Sequence, residues 1–200
     1  MPGDRLSGPI MKIVLGSSSK WRAGVLRRAG FAFDVVAPDI DERAIRDADP
    51  ERLVLAIANA KADAVASKID GPAVIIASDQ IVLCDGHIRE KPRDAQEARE
   101  FIACYAHHPM ETVNAVVVLH SMTGKRVHGF DRCRVCYRPS VASIADYLIA
   151  KGEIFTCSGG WQCEDPEALK HMEHLDGTFD RVKGMPMDLV RALMQSVVQP

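Results

Sequence analysis

No apolar run in this 200-residue chain approaches the roughly 20 residues that a membrane-spanning helix requires. The run "AVVVL" at 115–119 ends at His120, and "LVLAIA" at 53–58 is only six residues long. The opening "MPGDRLSGPI" lacks the apolar middle of a secretory signal. Residues 1–10 therefore read as a disordered N-terminal tail ahead of a single domain over 11–200. Charge of one sign is missing too. Lysine and arginine number 25 against 27 aspartates and glutamates, a net −2. That balance implies no polyanion-binding surface, so neither a nucleic-acid polymer nor a membrane is expected as partner. A small anionic ligand stays open, because local charge departs from the total. There is no internal repeat and no low-complexity linker. A Walker loop is absent: "TGK" at 123–125 lacks the glycine spacing and falls in a hairpin. Nothing signals a covalent nucleophile with a paired base. What remains is an ordinary globular composition, 47% apolar and 26% charged, long enough for one large domain or two small lobes on a shared sheet. A cytoplasmic location is the expectation.

Six cysteines are present: Cys84, Cys104, Cys133, Cys136, Cys157 and Cys163. In a reducing compartment all six are expected as free thiols. "CRVC" (133–136) is formally a CxxC, but it lies in a strand-like stretch rather than at a helix start. Residues three apart on a strand point to opposite faces, so a metal or redox role is not expected. Cys104 with His107 and His108 reads as packing and loop polarity. His171 and His174 read as sharing a helix face, but two imidazoles without a third ligand do not make a zinc site.

Strands and helices alternate irregularly. Met11–Gly16 reads as a buried strand, Ser17–Ser19 as a turn, and Lys20–Ala29 as a helix stopped by Gly30. "FAFDVVAPDIDE" reads as a second strand entering an acidic loop. The clearest helix follows Asp49 and Pro50, with Leu53, Ile57, Ala60 and Ala64 at helical spacing. "GPAVIIASDQIVLCDGHIREKP" reads as strand, a polar break at Ser78–Gln80, more strand, and an Asp85-Gly86 hairpin turn. A helix, two long strands joined at "MTGK", and a helix ending at Gly152 come next. The stretch from Phe155 to Gly184 reads as mostly loop with one short helix, before a closing helix. Hairpins among the alternations favour a mixed sheet over a purely parallel one.

Three stretches carry chemistry. "LGSSSKWR" (15–22) lies between a strand and a helix start, where free N–H groups and the helix dipole favour an anion. Ser17, Ser18 and Ser19 add hydroxyls, and Lys20 and Arg22 add positive charge. A plain serine cap with surface cations fits the same residues. "ASDQIV" (77–82) places Asp79 within an apolar strand, where a charge is costly unless it meets a cation, a metal or a cleft. "PDIDE" (38–42) brings Asp39, Asp41 and Glu42, which can share a divalent ion with Asp79 if the loops converge. Lys61 and Lys91 are either surface lysines or grips for a polyphosphate. Together these groups suit cleavage of a phosphoanhydride: cations neutralise phosphate charge and a carboxylate orients water.

In this order, "LGSSSKWR", "DIDE", "ANAKA", "ASDQIV", "REKP", "HPMETVNAVVV", "VCYR", "CSGGWQCED" and "GMPMDLV" resemble the Maf family, the septum-formation-type nucleoside triphosphate pyrophosphatases. The resemblance covers nearly the whole chain after the tail. It implies an α/β fold of the Maf/ITPase-like kind: two lobes around a long mixed β-sheet, with flanking helices and a central nucleotide cleft. It implies hydrolysis of a nucleoside triphosphate to the monophosphate and pyrophosphate, aided by Mg²⁺ or Mn²⁺, in a homodimer. Ser19, Arg22, Glu42, Lys61, Asp79 and Lys91 match the family's active-site positions, and Ser17 and Gln80 fall within the same motifs. By this resemblance Ser17, Ser19, Arg22, Lys61 and Lys91 hold the triphosphate. Asp79 orients the water and Glu42 is a metal ligand, or those two exchange roles. Three residues depart from the family pattern: Lys20 stands where proline is usual, Glu90 and Asp165 where glycine is.

Trp21 and Glu164, with Gln80, resemble the branch that acts on 7-methyl-GTP; the dTTP/UTP branch commonly has arginine and glutamine at the first two positions. A methylated guanine is cationic and suits an indole face. Its N1–H and amino group are donors that a carboxylate accepts. The competing readings are a dTTP/UTP pyrophosphatase, with Trp21 merely packed behind the phosphate loop, and a non-catalytic nucleotide-binding regulator of cell division.

Overall fold

The computed structural model describes residues 11–199, and the tail expected at 1–10 lies outside the described residues. In chain order the elements are β1 (Lys12–Gly16), α1 (Lys20–Arg28), β2 (Asp34–Val35), α2 (Pro50–Ala66), β3 (Ala73–Cys84), β4 (His87–Arg89) and α3 (Ala95–Tyr105). After them come β5 (Met110–His120), β6 (Arg126–Tyr137), α4 (Ala145–Lys151), α5 (Pro166–His171), β7 (Met172–Asp176), α6 (Phe179–Val182) and α7 (Met187–Val198). One mixed sheet runs β2-β1-β3-β5-β6-β7, with β4 added to β3. β2, β1 and β3 are parallel; β3, β5, β6 and β7 are antiparallel neighbours. The expected mixed α/β architecture is therefore present.

β3 organises the molecule. It runs unbroken through Ser78, Asp79 and Gln80, where the sequence suggested an interruption. Those residues pair along the backbone with Val116, Ala115 and Asn114 of β5, which keeps the strand regular. The other edge of β3 differs. There β1 reaches only to Ala77, and β4 begins only at Val82. Between them, on that edge, neither strand pairs with β3. The polar residues occupy the gap in edge pairing, so they open a cleft rather than break a strand.

Two faces and one end bury apolar side chains. Period-two alternation sends Ile75, Ala77, Val113, Ala115 and Val117 against Leu53 and Ile57 of α2. It sends Val74, Ile76, Val116 and Val118 against Leu26 of α1 and Val190 and Leu193 of α7. A third cluster gathers Phe101, Ile102, Tyr105, Met110, Val135, Leu148 and Trp161 around α3 and α4, giving the second lobe its own core. Within it the Trp161 indole N–H donates to the Tyr137 hydroxyl at 2.6 Å, and the Tyr105 hydroxyl donates to the Gly159 carbonyl at 2.6 Å. Gly159 has φ +73°, and a Cβ there would lie 2.8 Å from Val82. Only glycine lets this loop press against β3 so closely.

Several local expectations change. The second strand shrinks to Asp34–Val35. β7 forms in the stretch read as loop, so His171 ends α5 while His174 lies on a strand, and the two share no helix face. The six cysteines are not all free: Cys84 and Cys104, with Cα atoms 6.6 Å apart, are disulfide-bonded and tie the end of β3 to α3. Cys133, Cys136, Cys157 and Cys163 stay free. Among the described residues, no helix is long and apolar enough to cross a membrane.

Candidate active site

A cleft of about 560 Å³ lies over the gap in β3 pairing, within the size range of small-molecule sites. Its lining includes Ser17, Ser19, Trp21, Arg22, Glu42, Lys61, Asp79, Gln80, Lys91 and Glu164. The structure thus brings all ten sequence-predicted site residues to one cavity.

The phosphate-loop side is built by β1 and α1. Ser19 caps α1, its hydroxyl accepting from the Arg22 N–H, and the buried Ser17 hydroxyl accepts from the Ser19 N–H at 3.2 Å. Ser19 therefore caps the helix and Ser17 closes the turn before it, and both line the cleft. Arg22 leaves the first turn and donates to the Ser78 carbonyl at 3.0 Å, crossing to β3 at the unpaired edge. Burial draws the Arg22 pKa down, and the charges of Asp79 and Glu42 oppose it. The buried Arg22 Nε has no protein partner. A guanidinium held this way can meet an anion with little reorganisation.

Asp79 and Lys61 are buried charges, 5% and 4% exposed. α2 places Lys61 so that its Nζ donates to Asp79 Oδ1 at 2.7 Å and lies 3.0 Å from Glu42 Oε1. Burial raises the Asp79 pKa, while Lys61 and Arg22 counter it. A carboxylate shifted upward is a better proton acceptor than one in water. Glu42 sits on a short 3₁₀ turn, Glu42–Ala44, capped by Asp41. Its side chain is 48% exposed and open to the cleft.

The acidic loop does not converge as a whole. Asp39 pairs with Lys68 at 2.5 Å, and Asp41 accepts from the Arg43 N–H. Of that loop only Glu42 joins Asp79. Among the described residues no group of three or more His, Cys, Asp or Glu could hold a metal ion. Two carboxylates on one ammonium still suit Mg²⁺ or Mn²⁺, because such ions bind through one or two carboxylates plus water and substrate phosphates. The donor set fits a cation that arrives with a polyphosphate.

The first turn of α1 also carries Trp21, half-buried with the Lys20 ammonium 4.8 Å from its ring centroid, and Glu164 enters the same cleft from the loop before α5. Glu164 meets Lys183, which also lines the cleft and which sequence reasoning did not single out. Its only cue was a lysine just before the glycine of "GMPMD". Gln80 Oε1 is buried without a partner. A Cβ on Gly184 would lie 2.5 Å from that oxygen and 3.1 Å from Arg22, so this glycine, at φ +73°, permits the packing of α6 against the site.

The departures at Glu90 and Asp165 have structural explanations. The Glu90 carbonyl accepts from the Gly159 N–H at 3.0 Å, a backbone contact indifferent to the side chain. Asp165 takes an ordinary φ of −61° and caps α5. Lys20 replaces proline at the first position of α1 without loss of the helix start.

Comparison with known proteins identifies the family. Residues 12–197 match the family described as Maf, Maf-like protein. A 7-methyl-GTP pyrophosphatase of Dictyostelium discoideum is 38% identical over 94% of this chain and 98% of its own. One of the same description from Idiomarina loihiensis is 32% identical over 77% and 78%. A dTTP/UTP pyrophosphatase of Geotalea uraniireducens is 31% identical over 90% and 93%. With a match across nearly the whole described chain and the motif residues gathered in one cleft, this chain belongs to the Maf family.

Proposed function

We propose that the protein is a nucleoside triphosphate pyrophosphatase that prefers 7-methyl-GTP. The observation that carries the reading is one cleft lined by cations and carboxylates and also by Trp21 and Glu164. Arg22, Ser17, Ser19, Lys61 and Lys91 hold the triphosphate, each as a donor to phosphate oxygens. Lys61 keeps Asp79 and Glu42 in place through its two contacts. Water attacks the α-phosphorus, the bond to the bridging oxygen breaks, and pyrophosphate leaves with that oxygen. Asp79 takes the proton of the attacking water and returns it to solvent. Glu42 and Asp79 would hold a divalent cation, which would supply charge neutralisation on the phosphate oxygens. Trp21 offers its face to the cationic base, worth roughly 0.5–2 kcal/mol depending on desolvation. Glu164 accepts from guanine donors, which uracil does not present in the same number.

The relatives described as dTTP/UTP pyrophosphatases motivate the competing substrate, and Glu164 in place of glutamine argues against it. The test is release of pyrophosphate from 7-methyl-GTP, GTP, UTP and dTTP. Fastest cleavage of 7-methyl-GTP is expected. Faster cleavage of UTP or dTTP would overturn the base assignment and return Trp21 to a packing role. No release from any of them would favour a regulator that binds without turnover.

A further inference from the structure

The Glu164–Lys183 pair is unevenly exposed. The Lys183 side chain is 6% exposed and the Glu164 side chain 44%. The ammonium is thus the anchored partner and the carboxylate the open one. Lys183 closes α6, its backbone N–H donating to the Phe179 carbonyl at 2.9 Å. The next residue is fixed to β3: the Ser78 hydroxyl donates to the Gly184 carbonyl at 2.9 Å. The Lys183 backbone is therefore tied to the strand that carries Asp79.

The contact joins Lys183 Nζ to Glu164 Oε2. It engages at most one of the three ammonium N–H donors and leaves Glu164 Oε1 as an acceptor. Side by side in the cleft wall stand a charged donor and a charged acceptor. We infer that this pair reads the base edge, Lys183 donating to a ring carbonyl oxygen while Glu164 accepts from the adjacent ring N–H, so that the site selects lactam bases over amino bases. Guanine and hypoxanthine carry C6=O beside N1–H. Adenine carries an amino donor beside a bare ring nitrogen, which sets donor against ammonium and lone pair against carboxylate. Such a mismatch leaves desolvated charges unpaired and is rejected strongly. Uracil shares the carbonyl and N–H order, so Lys183 does not separate it from guanine; Trp21 and the extra amino donor that guanine offers Glu164 do.

The inference rests on Glu164 facing the base and makes Lys183 a specificity-determining residue. It also predicts that the 2-amino group of guanine matters less than the 6-carbonyl. Calorimetric binding of α,β-methylene triphosphates tests it without turnover. The wild type should bind the guanosine analogue about tenfold or more tighter than the adenosine analogue, and the inosine analogue within about threefold of guanosine. A 2-aminopurine analogue, which keeps the amino group but lacks the carbonyl and N1–H, should bind as poorly as adenosine. Lys183→Met should collapse the guanosine-to-adenosine ratio, and Lys183→Arg should preserve most of it. Tight binding of the 2-aminopurine analogue, or an unchanged ratio in Lys183→Met, overturns the inference. If Lys183→Met fails to fold, the wild-type series decides alone. Lactam selection in binding without release of pyrophosphate from any triphosphate would leave this base reading standing and remove the proposed hydrolysis.

Discussion

Asp79 shows what a residue in an unexpected place reveals. A carboxylate inside "VIIASDQIVL" demanded a partner by its cost alone, and the structure supplies Lys61 at 2.7 Å. Its partner could not be read from sequence, because eighteen residues and a helix-to-strand packing separate the two. Asp79→Asn removes the charge and little volume. It is expected to lower turnover by about 10²-fold or more while nucleotide affinity largely survives, as for loss of a general base. Near-normal rates of pyrophosphate release in this variant would take Asp79 out of the mechanism. Asp165 teaches the complementary lesson. The family pattern has glycine at this position; the structure makes Asp165 the cap of α5. Burial would raise its pKa, but Lys151 and the N–H groups of Glu167 and Ala168 outweigh burial and hold it below the ordinary 3.8. A depressed native pKa contributes stability above the unfolded value, and that contribution is lost as pH falls through the native one. Asp165→Asn should therefore be less stable than wild type near neutral pH, with the difference narrowing in acid below pH 3.8. Denaturant midpoints at several pH values check this; a gap that widens in acid contradicts it.

Elements with strong local signals were legible. α2 begins where Asp49 and Pro50 placed it, Asp49 accepting from the N–H groups of Glu51 and Arg52. The Asp85-Gly86 turn has both residues at positive φ, the geometry a two-residue hairpin needs. β7 was not legible. "MEHLD" is an edge strand with little burial, and its pairing with β6 is a tertiary fact. The cysteines divide the same way. Strand alternation correctly separated Cys133, buried, from Cys136, and burial lifts the Cys133 thiol to about 11, far from a metal-binding thiolate. The pairing of Cys84 with Cys104 depends on how α3 packs on the end of β3, which spacing does not encode. Thiol titration of the denatured, unreduced protein is expected to find four free thiols. Six reactive thiols would show the pair to be unbonded in solution.

At the scale of the whole molecule, the site exists because three packing units meet where β3 has no edge partner. The sequence announced the pieces in order but not the gap, since the gap is the difference between where β1 ends and where β4 begins. The phosphate loop belongs to the β1–α1 unit, Lys61 to α2, and Glu164 and Lys183 to segments packed with the second lobe. A ligand touching all of them couples units that otherwise meet mainly through the sheet. Any ligand that binds only the folded state stabilises it by about 2.7 kcal/mol at a hundredfold excess over its dissociation constant. A whole nucleotide should bind more tightly than its fragments, because one ordering cost serves contacts on every wall. The α,β-methylene form of 7-methyl-GTP is therefore expected to raise the melting temperature more than equal concentrations of 7-methylguanosine and tripolyphosphate added together. The comparison is made by thermal scanning at fixed divalent cation. If tripolyphosphate alone gives the full shift, the base wall contributes no binding, and the cleft is a phosphate site with Trp21 and Glu164 as bystanders.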